Sequence, residues 1–163
     1  MCKALYIEDE KSAFVVSLLD SLKEIGIGCT FQDWASAAEC ARTDEGISFE
    51  RLSENLELEK YDLLLIDVMM PPEGIIGTYD GFLTGIILHK KLLEVSASIK
   101  RKKTFFITNL PYNKNPDSYY GMAKYYADLN MKDSLFRKND PDDIASEIKN
   151  AMSNKEIETD EDN

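Results

Sequence analysis

The sequence YDLLLIDVMMPPEG, residues 61–74, decides the fold, because it runs four apolar residues directly into a carboxylate. Residues 63–66 form an unbroken apolar run, which is typical of a central parallel strand covered on both faces. Asp67 follows at once, and two prolines and a glycine come after it. A carboxylate at the end of a buried strand is a candidate for chemistry, although such residues also serve as turn residues or helix caps.

Four other short apolar segments also have strand character, and they alternate with helical patterns. Beside the strand at 61–68, strands are predicted at residues 4–7, 27–34, 104–108 and 134–138. Helices are predicted at about 11–25, from about 37, at about 80–98, in the tyrosine-rich segment after 116, and from 141 onward. The polar segment 43–60 is predicted to be an extended or partly helical insertion.

Capping residues predict where some of these helices begin and end. Gly26 is the expected stop of the first helix. Ser36 and Glu39 have the spacing of a capping box, which predicts that the second helix begins near Ala37. Asp140, followed by a proline and two more acids, is a strong start for the last helix.

The alternation of strands and helices predicts an α/β fold with a doubly wound, five-stranded parallel sheet and helices on both faces. The length of 163 residues suits one domain of ordinary size. We assign residues 1–152 to this domain. Residues 153–163 are acidic and poor in apolar side chains, and we expect them to be disordered.

The composition excludes several classes of function. A formal net charge of −11 disfavours binding to nucleic acids and to anionic membranes, so a protein partner is expected. The three cysteines lack metal-site spacing, and an odd number argues against a disulfide framework, which indicates reduced thiols in the cytoplasm. The first residues resemble neither a secretory signal nor a membrane span. His89, the single histidine, is expected at the surface.

Polar residues follow the predicted strands where ligands bind in such sheets, at the carboxyl ends. Strand one ends in Glu8 and Asp9, and strand three in Asp67. Strand four ends in Thr108 and strand five in Lys138. Three clustered carboxylates repel one another unless a hard cation such as Mg²⁺ lies among them. Together with the hydroxyl and the ammonium, they predict a site where Asp67 attacks a phosphoryl group.

These motifs together resemble those of the response-regulator receiver domain of two-component signalling. The matching segments are YIEDE (6–10), LLIDVMMPP (64–72) with a later DG (80–81), FFIT (105–108) and LFRK (135–138). The resemblance covers about residues 3–152 and implies a flavodoxin-like topology. No single motif is specific, but five in this order, each at a predicted strand end, are strong together.

The resemblance also implies a role for each matching residue. It makes Asp67 the phosphorylated residue and Asp9 a ligand of Mg²⁺. Glu8 would hold the metal directly or through water, and the Met69 backbone carbonyl would complete its coordination. Thr108 and Lys138 would contact the phosphoryl oxygens.

The resemblance further implies partners. The phosphoryl donor would be a histidine kinase or a phosphotransfer protein. Output would pass to a downstream protein, for which the tyrosine-rich helix at residues 119–126 is the candidate contact. Such a stand-alone receiver catalyses at most its own phosphorylation and dephosphorylation.

Three positions depart from the family pattern and leave an alternative open. Asn109 stands where a very small residue is usual, Asn139 where proline is usual, and Leu135 where an aromatic residue is common. These departures motivate the alternative of a receiver-fold binding module that works without phosphorylation. A phosphatase is disfavoured because Met69 replaces the acid expected two residues after the nucleophile. A flavin-binding protein is disfavoured because the loop after strand one reads EDEK.

Overall fold

The computed structural model describes residues 2–109 and 135–161, with the side chains of the last helix described as far as Ser153. Seven strands are present in this part of the chain. They are β1 (Cys2–Glu8), β2 (Ile27–Asp33), β3 (Arg42–Thr43), β4 (Gly46–Ile47), β5 (Leu63–Asp67), β6 (Lys103–Thr108) and β7 (Leu135–Arg137).

Five of these strands form one sheet in the order β2-β1-β5-β6-β7, and every pair in it is parallel. The chain starts at β1, adds β2 on one side and then crosses to β5 on the other. The strand order therefore reverses between β1 and β5, as in flavodoxin-like folds. In register, Ile7 lies opposite Ile66, and Asp67 opposite Ile107. The predicted fold class is confirmed.

The helices cover both faces of the sheet. They are α1 (Ala13–Glu24), α2 (Trp34–Cys40), α3 (Phe49–Asn55), α4 (Thr84–Val95) and α5 (Pro141–Glu161), with short 3₁₀ turns at Leu58–Lys60 and Ile99–Arg101. One core contains side chains of α1 and α5, including Leu18 and Ile148. The other contains side chains of α2, α3 and α4, including Trp34, Leu52 and Leu92. Alternate residues of β1 and β5 point into the two cores, since side chains on a strand alternate between faces.

The start of the second helix differs from the prediction. Asp33 is its N-cap, and the Asp33 carboxylate accepts hydrogen bonds from the Ser36 backbone N–H and the Ser36 hydroxyl. The helix therefore begins at Trp34 instead of near Ala37. The capping-box prediction is wrong here because Asp33, three residues before Ser36, caps the helix, and Ser36 donates to Asp33 from within the first turn instead of serving as the cap.

The insertion predicted at 43–60 is ordered and partly helical. A short antiparallel hairpin of β3 and β4 leads into α3. Ile47 and Phe49 pack against the core that contains Trp34, so the insertion belongs to the domain.

Two expectations concern the end of the chain and the tyrosine-rich segment. The last helix continues to Glu161, through most of the segment 153–163 for which the sequence predicts disorder. Lysine and glutamate are good helix formers, which suits this backbone conformation. The tyrosine-rich helix expected at 119–126 lies outside the described residues. Among the helices of the described chain, none is both long and apolar enough to cross a membrane.

Candidate functional site

Three carboxylates meet where the strand order reverses. Glu8 ends β1, Asp9 follows it, and Asp67 ends the neighbouring strand β5. One carboxylate oxygen from each residue lies within 4.8 Å of the others. Glu8 and Asp67 are only 1% and 2% exposed, and Asp9 is the most accessible of the three. The sheet topology thus brings together acids that are 58 positions apart in the sequence.

Lys138 places an ammonium between two of these carboxylates. Its Nζ lies 2.9 Å from Glu8 Oε2 and 2.9 Å from Asp67 Oδ2. Its backbone N–H donates to the Thr108 carbonyl at 2.8 Å, which fixes the turn after β7. Burial alone would lower the pKa of Lys138, but the charges of Asp67 and Glu8 outweigh it and raise the pKa. The lysine is therefore held as a cation.

Glu8 is surrounded by hydrogen-bond donors. Its Oε2 accepts from the Tyr6 hydroxyl at 3.2 Å as well as from Lys138, and its Oε1 accepts from the backbone N–H groups of Asp9 and Glu10 at 3.0 and 3.4 Å. Burial raises the pKa of Glu8, and proximity to Asp67 raises it further. Because these donors already use both oxygens, Glu8 suits binding a cation through water better than direct coordination.

The Asp67 carboxylate is held at its other oxygen by the chain that follows it. Oδ1 accepts a hydrogen bond from the Met69 backbone N–H at 3.1 Å, while Oδ2 faces Lys138. The Met69 N–H therefore lies beside the carboxylate. The carbonyl of the same residue is the predicted metal ligand, and this role stays a prediction.

The start of α4 packs tightly against the end of β5. The Gly85 N–H donates to the Val68 carbonyl at 3.0 Å. A Cβ on Gly85 would overlap the backbone carbonyl oxygen of Asp67. Only glycine lets the helix backbone approach Asp67 this closely.

The donor set fits a hard divalent cation. Carboxylate and carbonyl oxygens are the ligands that Mg²⁺ prefers, and it usually retains several waters. Asp9, the most accessible of the three carboxylates, is the best placed to bind it directly. Asp67 has one donor on each oxygen and is therefore less crowded than Glu8, which has two on each. Burial and the neighbouring Glu8 raise the pKa of Asp9 from 3.8 to about 6. Asp9 therefore carries its charge above about pH 6, where a cation would be bound.

Thr108 lies at the same edge of the sheet, buried at the end of β6. Its backbone carbonyl is tied to Lys138, as described above. All the residues predicted for the site thus lie at the carboxyl ends of adjacent strands. Their chemical roles stay predictions.

Several residues beside the site were not predicted from sequence. The Tyr6 hydroxyl bonds Glu8, and the Lys138 ammonium lies 5.9 Å from the centre of the Phe14 ring. Burial and the nearby Glu8 and Asp67 raise the pKa of Tyr6, so its hydroxyl keeps its proton. Tyr6 had a usable signal, since residues two apart on a strand share a face. No signal in the sequence predicted the close approach of Gly85 to the Asp67 carbonyl.

The three departures from the receiver pattern have distinct settings. Asn109 is exposed directly after β6. The Asn139 N–H donates to the Arg137 carbonyl at 2.8 Å in a tight turn. Leu135 packs against the core that contains Trp34.

His89 is not at the surface as expected. It is half-buried, and its ring meets the Phe106 ring edge-on with centroids 5.3 Å apart. Burial lowers the pKa of His89 to about 4. The expectation was wrong because α4 turns this position toward the sheet.

Comparison with known proteins supports the fold alone. No family model and no curated protein matches the sequence. A solved structure described as yeast Spc42 trimeric coiled-coil amino acids 181–211 fused to another structure superposes with a TM-score of 0.58. The two chains are 14% identical, and the match covers 97% of this chain and 83% of the other. At this identity the likeness carries no information about function.

Proposed function

We propose that this chain is a response-regulator receiver that accepts a phosphoryl group on Asp67 with the help of Mg²⁺. The observation that carries the proposal is the arrangement around Asp67. One of its carboxylate oxygens faces Lys138, and Glu8 and Asp9 lie within reach of the same point. A nucleophilic carboxylate with an ammonium and a cation site beside it is suited to phosphoryl transfer, where catalysis depends mostly on positioning and charge.

The chemistry assigned to the residues is an in-line displacement. An oxygen of Asp67 bonds to phosphorus while the bond from phosphorus to the donor histidine nitrogen breaks, and the electron pair stays on that nitrogen. Lys138 neutralises charge on the phosphoryl oxygens, and the Thr108 hydroxyl is assigned to donate to one of them. Mg²⁺, when bound, supplies further positive charge against those oxygens. Hydrolysis of the acyl phosphate on Asp67 would later reset the protein.

The proposal includes partners and a compartment. The donor is a histidine kinase or a phosphotransfer protein, and the output is contact with a downstream protein. A cytoplasmic setting suits the three cysteines, which are all free thiols. The protein is not proposed to act as an enzyme on other substrates.

One observation favours a second candidate, a receiver-fold binding module that takes no phosphate. Lys138 already bridges Glu8 and Asp67, and both Glu8 oxygens already accept hydrogen bonds. A cluster whose charges and hydrogen bonds are already paired can stabilise the fold without taking part in a reaction. Phosphorylation would require Lys138 to share its contacts with the incoming phosphoryl oxygens.

Mass spectrometry of the intact protein after incubation with acetyl phosphate separates the two. The receiver proposal expects a single added phosphoryl group that depends on Mg²⁺ and is absent from Asp67→Asn. Asp62→Asn is the matched control, since Asp62 lies at the opposite end of β5, where it accepts from the Lys3 backbone N–H. No adduct on the folded wild-type protein under any condition would favour the binding module.

A further inference from the structure

The loop between Asp67 and α4 has a backbone that needs external support. Among its residues, Glu73, Tyr79 and Asp80 adopt positive φ angles of 49°, 52° and 56°. A non-glycine residue in this left-handed region is strained, because its Cβ comes too close to the following carbonyl oxygen. A loop with several such residues keeps one conformation only when surrounding contacts determine it.

Two buried side chains hold the first part of the loop. The indole N–H of Trp34 donates to the Pro71 carbonyl at 2.7 Å, and the Thr84 hydroxyl donates to the Met70 carbonyl at 2.6 Å. Both side chains are fully buried. These contacts fix the two peptides that follow Met70.

Arg42, from the inserted hairpin, holds the next part. Its guanidinium donates to the Glu73 carboxylate at 2.9 Å through Nη2 and to the Glu73 backbone carbonyl at 3.2 Å through Nη1. A third contact, from Nε to Glu39 at 3.2 Å, orients the guanidinium from α2. The side chains of Arg42 and Glu73 are 37% and 26% exposed, so water screens the pair only in part.

The contacts made by Thr84, Trp34 and Arg42 all hold one short segment, residues 70–73. Met70, Pro71 and Glu73 are all held by elements outside the loop, while Met69 donates to Asp67 at its start. Three residues separate Glu73 from Met69, so a shift of Glu73 would pull on the held Pro71 and Met70 carbonyls before it reached the Met69 N–H that lies against the Asp67 carboxylate. Arg42 is the outermost of these contacts and the one supplied by the insertion.

We propose that Arg42 is a positioning residue for the acidic site, acting through Glu73. By fixing the loop after Asp67, it holds the Met69 carbonyl where a cation bound by Asp9 and Asp67 would meet it. The insertion hairpin thereby regulates how well the site is organised. The effect on the cation rests on the proposed function, whereas the effect on the loop stands without it.

The test compares Arg42→Ala with wild type by two measurements. Amide hydrogen exchange followed by mass spectrometry reports on residues 73–80, and calorimetric titration with Mg²⁺ reports on the site. We expect exchange in this loop to accelerate about 10-fold while exchange in the sheet is unchanged. The Mg²⁺ dissociation constant should rise about 10-fold, the lower end of what loss of a supporting contact costs a metal site.

Two variants serve as controls. Arg51→Ala removes an exposed arginine of α3, and it should change neither measurement. Arg42→Lys keeps the charge but not the planar fork, so it should restore loop protection and Mg²⁺ affinity in part. Trp34 is the one tryptophan of the chain, and its fluorescence gives an independent signal from the loop contact at Pro71.

The outcomes separate the inference from the proposed function. Unchanged loop exchange in Arg42→Ala would overturn the role of Arg42 in ordering the loop. Faster loop exchange with unaltered Mg²⁺ affinity would overturn its role in positioning the site. A wild-type protein that binds no Mg²⁺ would overturn the proposed metal chemistry, and the exchange experiment would still decide whether Arg42 orders the loop.

Discussion

Lys138 stabilises the acid cluster, because its ammonium compensates the charge of two buried carboxylates. Its side chain is 11% exposed, and its ammonium contacts carboxylates that are almost fully buried. Removing one partner of a buried ion pair leaves an uncompensated charge, which commonly costs several kcal/mol. Lys138 is therefore as much a structural residue as a candidate for chemistry.

Replacing Lys138 by methionine should destabilise the protein by about 3 kcal/mol in the absence of divalent cations. The loss should shrink when Mg²⁺ is added, because a bound cation would neutralise the same carboxylates. Urea unfolding with and without Mg²⁺ measures both effects. Lys90→Met, at an exposed position of α4, is the control and should change stability little. A loss in Lys138→Met that Mg²⁺ does not reduce would contradict this account.

His89 predicts a specific pH dependence of stability. Burial lowers its pKa from 6.5 to about 4, so the unfolded chain binds its proton more readily than the folded one. The full stability of the folded protein, with His89 neutral in both states, is therefore present above about pH 6.5. It is lost progressively as the pH falls toward 4, because the unfolded chain binds the His89 proton first. The loss amounts to at most about 3 kcal/mol.

The measurement is the difference in unfolding free energy between wild type and His89→Gln from pH 7.5 to 4.5. Taking this difference removes the contributions of the carboxylates, of which Asp9 has the opposite sign because its pKa is raised. We expect the wild type to lose more unfolding free energy than His89→Gln as the pH falls. A difference independent of pH would show that His89 titrates normally.

At the scale of residues, sequence predicted the groups at strand ends and missed those that support them. Asp67 and Lys138 follow apolar runs, so their positions could be read locally. The contacts of Trp34 with Pro71 and of Arg42 with Glu73 join residues 37 and 31 positions apart. Nothing local to either partner specifies such a contact.

Among the elements, the junction of β5 and α4 imposes the strictest steric condition. Gly85→Ala would place a methyl group against the Asp67 carbonyl, which is backbone and cannot rotate away. We expect a loss of about 3 kcal/mol, at the upper end of overpacking costs. Urea unfolding measures this loss.

Gly77→Ala is the matched control for this substitution. Gly77 has a positive φ of 84° but open space around its Cβ position, so alanine there should cost about 1 kcal/mol through backbone strain alone. An equal or smaller loss for Gly85→Ala would mean that α4 shifts away from β5 at little cost.

The elements themselves could be predicted to different degrees. The five strands of the main sheet were predicted because their apolar runs are short and bounded by polar residues. The hairpin of β3 and β4 was not, since its strands have two residues each and carry no periodic pattern. The second helix was placed late because the spacing of Ser36 and Glu39 fits a capping box, whereas in the structure Asp33, three residues earlier, accepts from the Ser36 N–H.

At the scale of the whole molecule, the fold collects negative charge at one point of an already acidic chain. The net charge of −11 makes the protein attractive to cations in general. Binding at one site must therefore be distinguished from screening of the overall charge. Any ligand that binds only the folded state stabilises it, and a ligand at 100 times its dissociation constant contributes about 2.7 kcal/mol.

Saturating Mg²⁺ should raise the unfolding free energy of the wild-type protein by about 2–3 kcal/mol relative to NaCl at matched ionic strength. Asp9→Asn should lose most of this gain, because it removes a carboxylate best placed for direct coordination while keeping the Asp9 backbone contact with Glu8. Glu10→Gln lowers the charge equally at an exposed neighbour and should keep the gain. If both variants responded to Mg²⁺ as the wild type does, the stabilisation would come from general screening and not from the site. If only Asp9→Asn lost it, the three carboxylates would act as one cation site.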